Sequence, residues 1–101
     1  VHPDAPLDGY ALVVVPCVSI VSDTLAANLS AFTGQVVIGP RTGSRDEDFA
    51  IPPNLAPGKL ADLIGGRITL SESWRPGVVA EGDGWQASGW FDHYEGTAGP
   101  D

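Results

Sequence analysis

The sequence predicts an α/β domain built on a parallel sheet. Residues 10–15 form a continuous apolar run rich in β-branched side chains, as in strands buried on both faces of a parallel sheet. A second run of this kind, residues 35–38, follows a stretch with helical periodicity. Because strand, helix and strand are joined by short connections, we expect a right-handed βαβ unit with two parallel strands.

The helix of this unit is predicted to begin at residues 22–24. Ser22 is suited to cap the helix, and Asp23 in the first turn interacts favourably with the helix dipole. Gly34 is expected to end the helix as a left-handed residue. Four apolar residues recur at helical spacing: Leu25, Ala26, Leu29 and Phe32.

The rest of the chain divides into a long loop, a short helix and further strands. Residues 41–57 form a polar loop, and loops this long in compact domains are usually functional or contact something else. We expect a short helix at 59–64, a third strand at 67–70, a hairpin formed by 78–80 and 85–87, and a last strand at 90–94, followed by frayed residues 95–101. The predicted division is a core domain, 1–73, and an aromatic-rich C-terminal β extension, 74–101.

Composition limits the classes of partner. The chain has 101 residues, of which 43% are hydrophobic, so it is too apolar for disorder. Its formal net charge is −8, from 13 acidic and 5 basic side chains, which disfavours nucleic acid or an anionic membrane as partner. The single cysteine, Cys17, excludes an internal disulfide, and the longest apolar run, residues 11–17, is too short to cross a bilayer.

Four stretches, in order and spacing, resemble the trimerisation domain of family 42 β-galactosidases. Residues 7–16 (LDGYALVVVP) are similar to its L-x-G-Y-K-hydrophobic-P opening, and residues 25–40 to its L-x-x-F passage followed by Gly-Gly and a strand. Residues 41–48 (RTGSRDED) resemble its R-S-G-x-x-D-E loop, and residues 60–66 its L-x-(D/E)-L-(L/I)-G segment. The chain departs from the family where Gly34-Gln35 replaces Gly-Gly.

The resemblance implies a flavodoxin-like, class I glutamine amidotransferase-like three-layer domain. It implies a role in holding three copies of a cytoplasmic bacterial enzyme that hydrolyses terminal β-D-galactosyl residues. Catalysis in that family uses two glutamates of a TIM-barrel domain in a retaining mechanism. No part of this chain corresponds to the barrel, so no catalytic residue is carried over. The full domain of the family has another strand and helix ahead of Val1, so the chain is expected to begin inside the domain and, alone, to pair into a dimer.

The loop supplies the candidate site residues: Arg41, Gly43, Arg45, Asp46, Glu47 and Asp48. Retaining hydrolysis needs two carboxylates about 5 Å apart across a cleft, which neighbouring loop residues do not establish. We expect a solvated or interface loop. A further possibility is that it reaches a neighbouring subunit's barrel and shapes its cleft, with one arginine pairing to a carboxylate there. No catalytic, metal-binding or cofactor-binding residue is predicted.

Two other features of the sequence could indicate a site. Cys17 follows a strand, where amidotransferase-like folds place a nucleophile, but Pro16 and Val18 replace the small neighbours of a nucleophile elbow. We therefore expect a buried or half-buried thiol without a role. The aromatic residues of the extension are expected to cover a core or an interface rather than to bind sugar. The alternative function is a small amidotransferase-like or carbohydrate-binding domain with its own site.

Overall fold

A computed structural model of the chain describes residues 1–97 and contains three two-stranded sheets. Strand β1 (Leu12–Val15) pairs with β2 (Gln35–Ile38), and the two strands run parallel, with Val13 opposite Val36. Helix α1 (Asp23–Ala31) connects them. The predicted βαβ unit is therefore confirmed.

The N-terminus of α1 is as predicted, and its C-terminus is not. Ser22 is the N-cap, and its hydroxyl accepts a hydrogen bond from the backbone N–H of Leu25 at 3.0 Å, as predicted. The helix ends at Ala31, its C-cap Phe32 is extended, and Gly34 is not left-handed, so the prediction that Gly34 ends the helix as a left-handed residue is wrong. Gly34 has a different role, since a Cβ there would overlap the Phe32 ring and the carbonyl oxygen of Ala11.

The core lies on the face of β1 and β2 that α1 covers. Leu60 enters it from a 3-10 turn (Gly58–Leu60), which continues into the short helix α2 (Ala61–Ile64). Leu29 and Leu60 are fully buried, with 0% of each residue exposed. The buried apolar residues are Leu7, Val15, Val21, Leu25, Leu29 and Leu60.

Antiparallel pairing forms the second half of the chain. Strand β3 (Gly66–Ser73) begins just after the left-handed Gly65 and pairs with β6 (Trp90–Gly96). Between them, β4 (Val79–Gly82) and β5 (Trp85–Ser88) form a hairpin. The predicted hairpin and last strand are confirmed, but the last strand continues through Glu95 and Gly96, so the expectation that these two residues are frayed is wrong. Residues 98–101, to which the predicted frayed end extends, lie outside the described residues.

The predicted three-layer, flavodoxin-like and class I glutamine amidotransferase-like fold is wrong. Within residues 1–97 the only two strands that pair in parallel are β1 and β2, and the run at 67–70 pairs with β6 in an antiparallel sheet. The alternation of Arg67, Ile68, Thr69 and Leu70 is typical of an antiparallel strand with one solvated face, whereas the fold was predicted from the family resemblance.

No helix within residues 1–97 has the length and apolarity of a membrane span.

One face of the parallel pair is open. Leu12, Val14 and Val37 are 50%, 55% and 50% exposed, so β1 and β2 are not covered on both sides, as their continuous apolar runs had predicted. The side chains at alternate positions point to opposite faces of a strand, and only the set that includes Val15 meets α1. The described residues thus leave an apolar sheet face in contact with solvent.

Leu29→Ala tests whether the small core carries the fold. We expect a loss of about 2–5 kcal/mol in the free energy of unfolding, because a cavity replaces a fully buried side chain. The control, Leu70→Ala, removes a side chain that is 52% exposed and should cost no more than about 1 kcal/mol. Urea unfolding measures both, and equal losses would contradict the location of the core.

Candidate functional site

The candidate residues lie in one loop, residues 41–57, which starts directly after β2 and is called here the anchored loop. Arg41 opens it with a positive φ of 65°. Its backbone N–H donates to the carboxylate of Asp92 at 3.3 Å, and its guanidinium lies 5.2 Å from the ring centre of Trp90. Arg41 therefore joins the anchored loop to β6 through a hydrogen bond and a cation–π contact.

The next two residues fasten the loop to the end of β1. The hydroxyl of the buried Thr42 donates to the carbonyl oxygen of Val15 and accepts from the N–H of Val18, both at 3.3 Å. The N–H of Gly43 donates to the carbonyl oxygen of Val18 at 2.9 Å. Gly43 has a φ of +64°, and a Cβ there would overlap the backbone of Pro57. Only glycine meets both requirements without strain.

Asp46, the first residue of the acidic run, hydrogen-bonds to the backbone of its own loop. One carboxylate oxygen of Asp46 accepts from the N–H groups of Asp48 and Ala50, at 3.0 and 2.9 Å. The guanidinium of Arg45 donates to the carbonyl oxygen of Ser44 at 2.8 Å. Asp46 therefore shapes the turn as an Asx motif does, and its carboxylate is already engaged.

The ammonium group of Lys59 binds both Glu47 and Asp23 in the first turn of α1. The ammonium of Lys59 contacts the carboxylate of Glu47 and, at 2.8 Å, that of Asp23. The hydrogen bond from Lys59 lowers the pKa of Glu47. The hydrogen bond to Asp23, followed by that to Glu47, raises the pKa of Lys59. This exposed network links the anchored loop to the first turn of α1.

The tip of the anchored loop was missed by sequence reasoning. Phe49 and Ile51 are 68% and 64% exposed, and Phe49 has a φ of +64°. The sequence signal for this tip is the pair of large apolar residues, Phe49 and Ile51, that closely follows the acidic run. A backbone held by many hydrogen bonds thus presents apolar side chains to solvent, and such patches are typical of contact surfaces.

The other candidates give no second site. Cys17 is exposed and has a φ of +51°, so the predicted buried or half-buried thiol is wrong. His93 pairs with Glu72 at 2.7 Å, on the antiparallel sheet. Within residues 1–97 no group of three or more His, Cys, Asp or Glu is arranged to hold a metal ion.

The aromatic residues of the extension divide into two groups. The rings of Trp74 and Phe91 stack with their centres 4.8 Å apart and nearly parallel. Trp85 and Trp90, in contrast, are 55% and 60% exposed. The stacked pair braces the antiparallel sheet, whereas the two exposed tryptophans are available for contacts outside the described chain.

Comparison with protein families identifies the domain. The family model described as the beta-galactosidase trimerisation domain matches residues 1–99. The chain belongs to this family. The match covers both the predicted core domain and nearly all of the C-terminal extension.

Related proteins are much longer than this chain. A beta-galactosidase of Thermus thermophilus is 43% identical over 84 residues, which are 81% of this chain and 13% of that protein. A beta-galactosidase of Halorubrum lacusprofundi is 41% identical over 76 residues, 72% of this chain and 11% of that protein. The chain therefore spans about an eighth of the length of the relatives that it matches.

Solved structures agree with the fold of this trimerisation domain. The beta-galactosidase of the psychrophilic Marinomonas ef1 has a TM-score of 0.84 and 31% identity, with 92% of this chain and 15% of that chain covered. The polyextremophilic enzyme of the Antarctic haloarchaeon Halorubrum lacusprofundi has a TM-score of 0.82 and 32% identity, with 96% and 15% covered.

Gly43→Ala tests the anchoring of the loop. We expect it to lower the free energy of unfolding by more than the control Gly9→Ala, which changes another left-handed glycine (φ +83°) with nothing within 4 Å of its added Cβ. The control should lose about 1–2 kcal/mol for the left-handed conformation, and Gly43→Ala should add the overlap with Pro57. Equal losses in urea unfolding would show that the loop does not pack as described.

Lys59→Gln tests the charge network through its pH dependence. The pKa of Glu47 is lowered on folding, so its contribution is present above the ordinary carboxyl value and is lost as the pH falls through the lowered pKa. The pKa of Lys59 is raised, so its contribution is present below the ordinary amine value and is lost as the pH rises through the raised pKa.

We therefore expect the variant to be less stable than the parent chain between these limits, and the difference to shrink at both extremes. Urea unfolding across pH measures the difference. Arg67→Gln, which breaks the exposed pair with Glu95 (3.0 Å), is the matched control. A difference between Lys59→Gln and the parent chain that stays constant with pH would refute the network.

Proposed function

We propose that this chain is the subunit-association domain of a β-galactosidase and that it helps to hold three copies of the enzyme together. In this proposal a separate TIM-barrel domain of the same polypeptide hydrolyses terminal β-D-galactosyl residues by a retaining mechanism, and this chain takes no part in the chemistry. The observation that carries the proposal is the match of residues 1–99 to the trimerisation-domain family. A cytoplasmic location stays a prediction.

Solvent-exposed apolar surface supports a role in subunit association. The open face of the parallel pair exposes Leu12, Val14 and Val37, and the anchored loop exposes Phe49 and Ile51. Parallel sheets are normally covered on both faces, and contiguous exposed apolar surface marks contact sites. A domain that binds other parts of a larger assembly accounts for both surfaces.

The anchored loop is proposed to lie against a neighbouring subunit. Arg41, Gly43 and Asp46 hold its backbone in place, and a preorganised loop loses little conformational entropy on binding. Arg45, Glu47 and Asp48 lie on the same loop, close to its apolar tip. We propose that this surface borders the neighbour's catalytic cleft and shapes it without supplying a catalytic group.

Solution mass and an activity assay test the proposal together. We expect light scattering to give a trimer for the natural polypeptide that carries this domain, and that polypeptide to cleave a chromogenic β-galactoside. The isolated chain should self-associate, with a dimer expected, and show no cleavage. A chain that stays monomeric at high concentration, or a monomeric active polypeptide, would refute the association role.

The carbohydrate-binding alternative rests on the exposed rings of Trp85 and Trp90. Titration of the isolated chain with galactose, followed by tryptophan fluorescence, separates it from the proposal. We expect no saturable change in fluorescence. A saturable change that Trp90→Ala abolishes would favour a sugar site of its own.

A further inference from the structure

The hairpin β4–β5 receives little support from the other helices and strands that the structure describes. Among the described residues, no helix or strand other than its partner packs extensively against either strand. Val78, Val79 and Trp85 are 45%, 46% and 55% exposed. A two-stranded hairpin is marginal in water when nothing packs on it. Its apolar side chains therefore need a covering surface.

The hairpin is nevertheless held in a defined position. At its base the N–H of Trp74 donates to the carbonyl oxygen of Gly89 at 2.6 Å, and Trp74 stacks on Phe91 of β6. Near its turn the indole of Trp85 lies across the facing Gly82, where a Cβ would overlap the ring. The Trp85 side chain therefore has a defined orientation relative to the backbone of the hairpin.

A groove of about 690 Å³, called here the junction groove, lies where the βαβ unit meets the antiparallel sheet. Two of the polar side chains beside it are engaged: the hydroxyl of Tyr94 donates to the carbonyl oxygen of Ile64, and Asp92 accepts from Ser71. The groove therefore suits apolar side chains better than a polar ligand. Its apolar walls include Phe32, Val36, Ile38, Leu63, Ile64 and Ile68.

Three-fold symmetry requires two different surfaces on each copy. In a closed ring of three, every contact is head-to-tail, so a projecting element of one subunit must meet a receiving surface of the next. We infer that the hairpin β4–β5 of one copy inserts into the junction groove of the next, with Trp85 as the anchor. The inference rests on the proposed function, which supplies the trimer.

Charge favours the same arrangement. The turn of the hairpin carries Glu81 and Asp83, and the cationic residue Arg41 is one of those that line the junction groove. The approach of an acidic turn to this cation is favourable and fixes the register of docking. The occupant of the groove is therefore a second copy of this chain rather than the catalytic barrel.

Cysteine cross-linking tests the contact in the natural polypeptide. All native cysteines, including Cys17, are replaced by serine, and the pair Trp85→Cys and Leu63→Cys is introduced, one on the hairpin and one in the groove. A short bis-maleimide should then give covalent dimers and trimers on a denaturing gel. Each single variant should give none, because a head-to-tail contact brings unlike positions together. Trp85→Cys with Ser30→Cys, on the exposed side of α1, is the matched control pair.

Each outcome decides the inference. Cross-linked trimers confined to the hairpin–groove pair support it. A trimer by light scattering that gives no cross-links, that links through Trp85→Cys alone, or that links equally with the Ser30 control overturns it and leaves the proposed function intact. A polypeptide that is not a trimer overturns the proposed function and this inference with it.

A second variant tests the anchor without cross-linking. Trp85→Ala should raise the concentration at which half of the trimer dissociates by about tenfold or more, because buried tryptophans dominate interface energies. Tyr10→Ala, an aromatic residue that is 49% exposed and lies outside both surfaces, should leave it unchanged. Equal effects of the two substitutions would contradict the anchor role of Trp85.

Discussion

The parallel pairing of β1 with β2 beneath α1 is the constraint on which the other features depend. It brings the carboxyl ends of two strands together, and the anchored loop starts from one of them and is fastened to the other by Thr42. Leu29 on α1 and Leu60 beyond the loop then close a core over this edge. The position of every candidate residue follows from that arrangement, since the loop has no regular secondary structure of its own.

The same constraint explains why the domain presents so much apolar surface. A single short helix covers one face of two four-residue strands, and within residues 1–97 the core cluster holds only six buried residues. Side chains such as Val14 and Val37 on the other face, and Trp85 on the hairpin, stay half exposed. In the assembly that we propose, these side chains would become buried on association, which would couple folding to association.

Local signals in the sequence predicted the elements well and their assembly poorly. The cap at Ser22, the short helix before Gly65 and the hairpin all depend on neighbouring residues, so they can be inferred from the sequence alone. The partner of β3 is a strand that lies 17 (Ser73 to Trp90) to 30 (Gly66 to Gly96) residues further along the chain, and a short run of alternating side chains does not specify it. Residues 41–57 form a loop, as predicted, but the exposure of Phe49 and Ile51 was not predicted, because the sequence does not show which apolar side chains of a loop stay in solvent. The role of the loop itself stays a prediction.

Amide hydrogen exchange tests most directly whether assembly completes this domain. We expect the amides of α1 and β2 to exchange slowly both in the isolated chain and in the natural polypeptide. Those of the hairpin β4–β5 should exchange rapidly in the isolated chain and become protected in the assembled polypeptide. Hairpin amides that exchange equally fast in both would contradict the claim that subunit association covers the surfaces left open here.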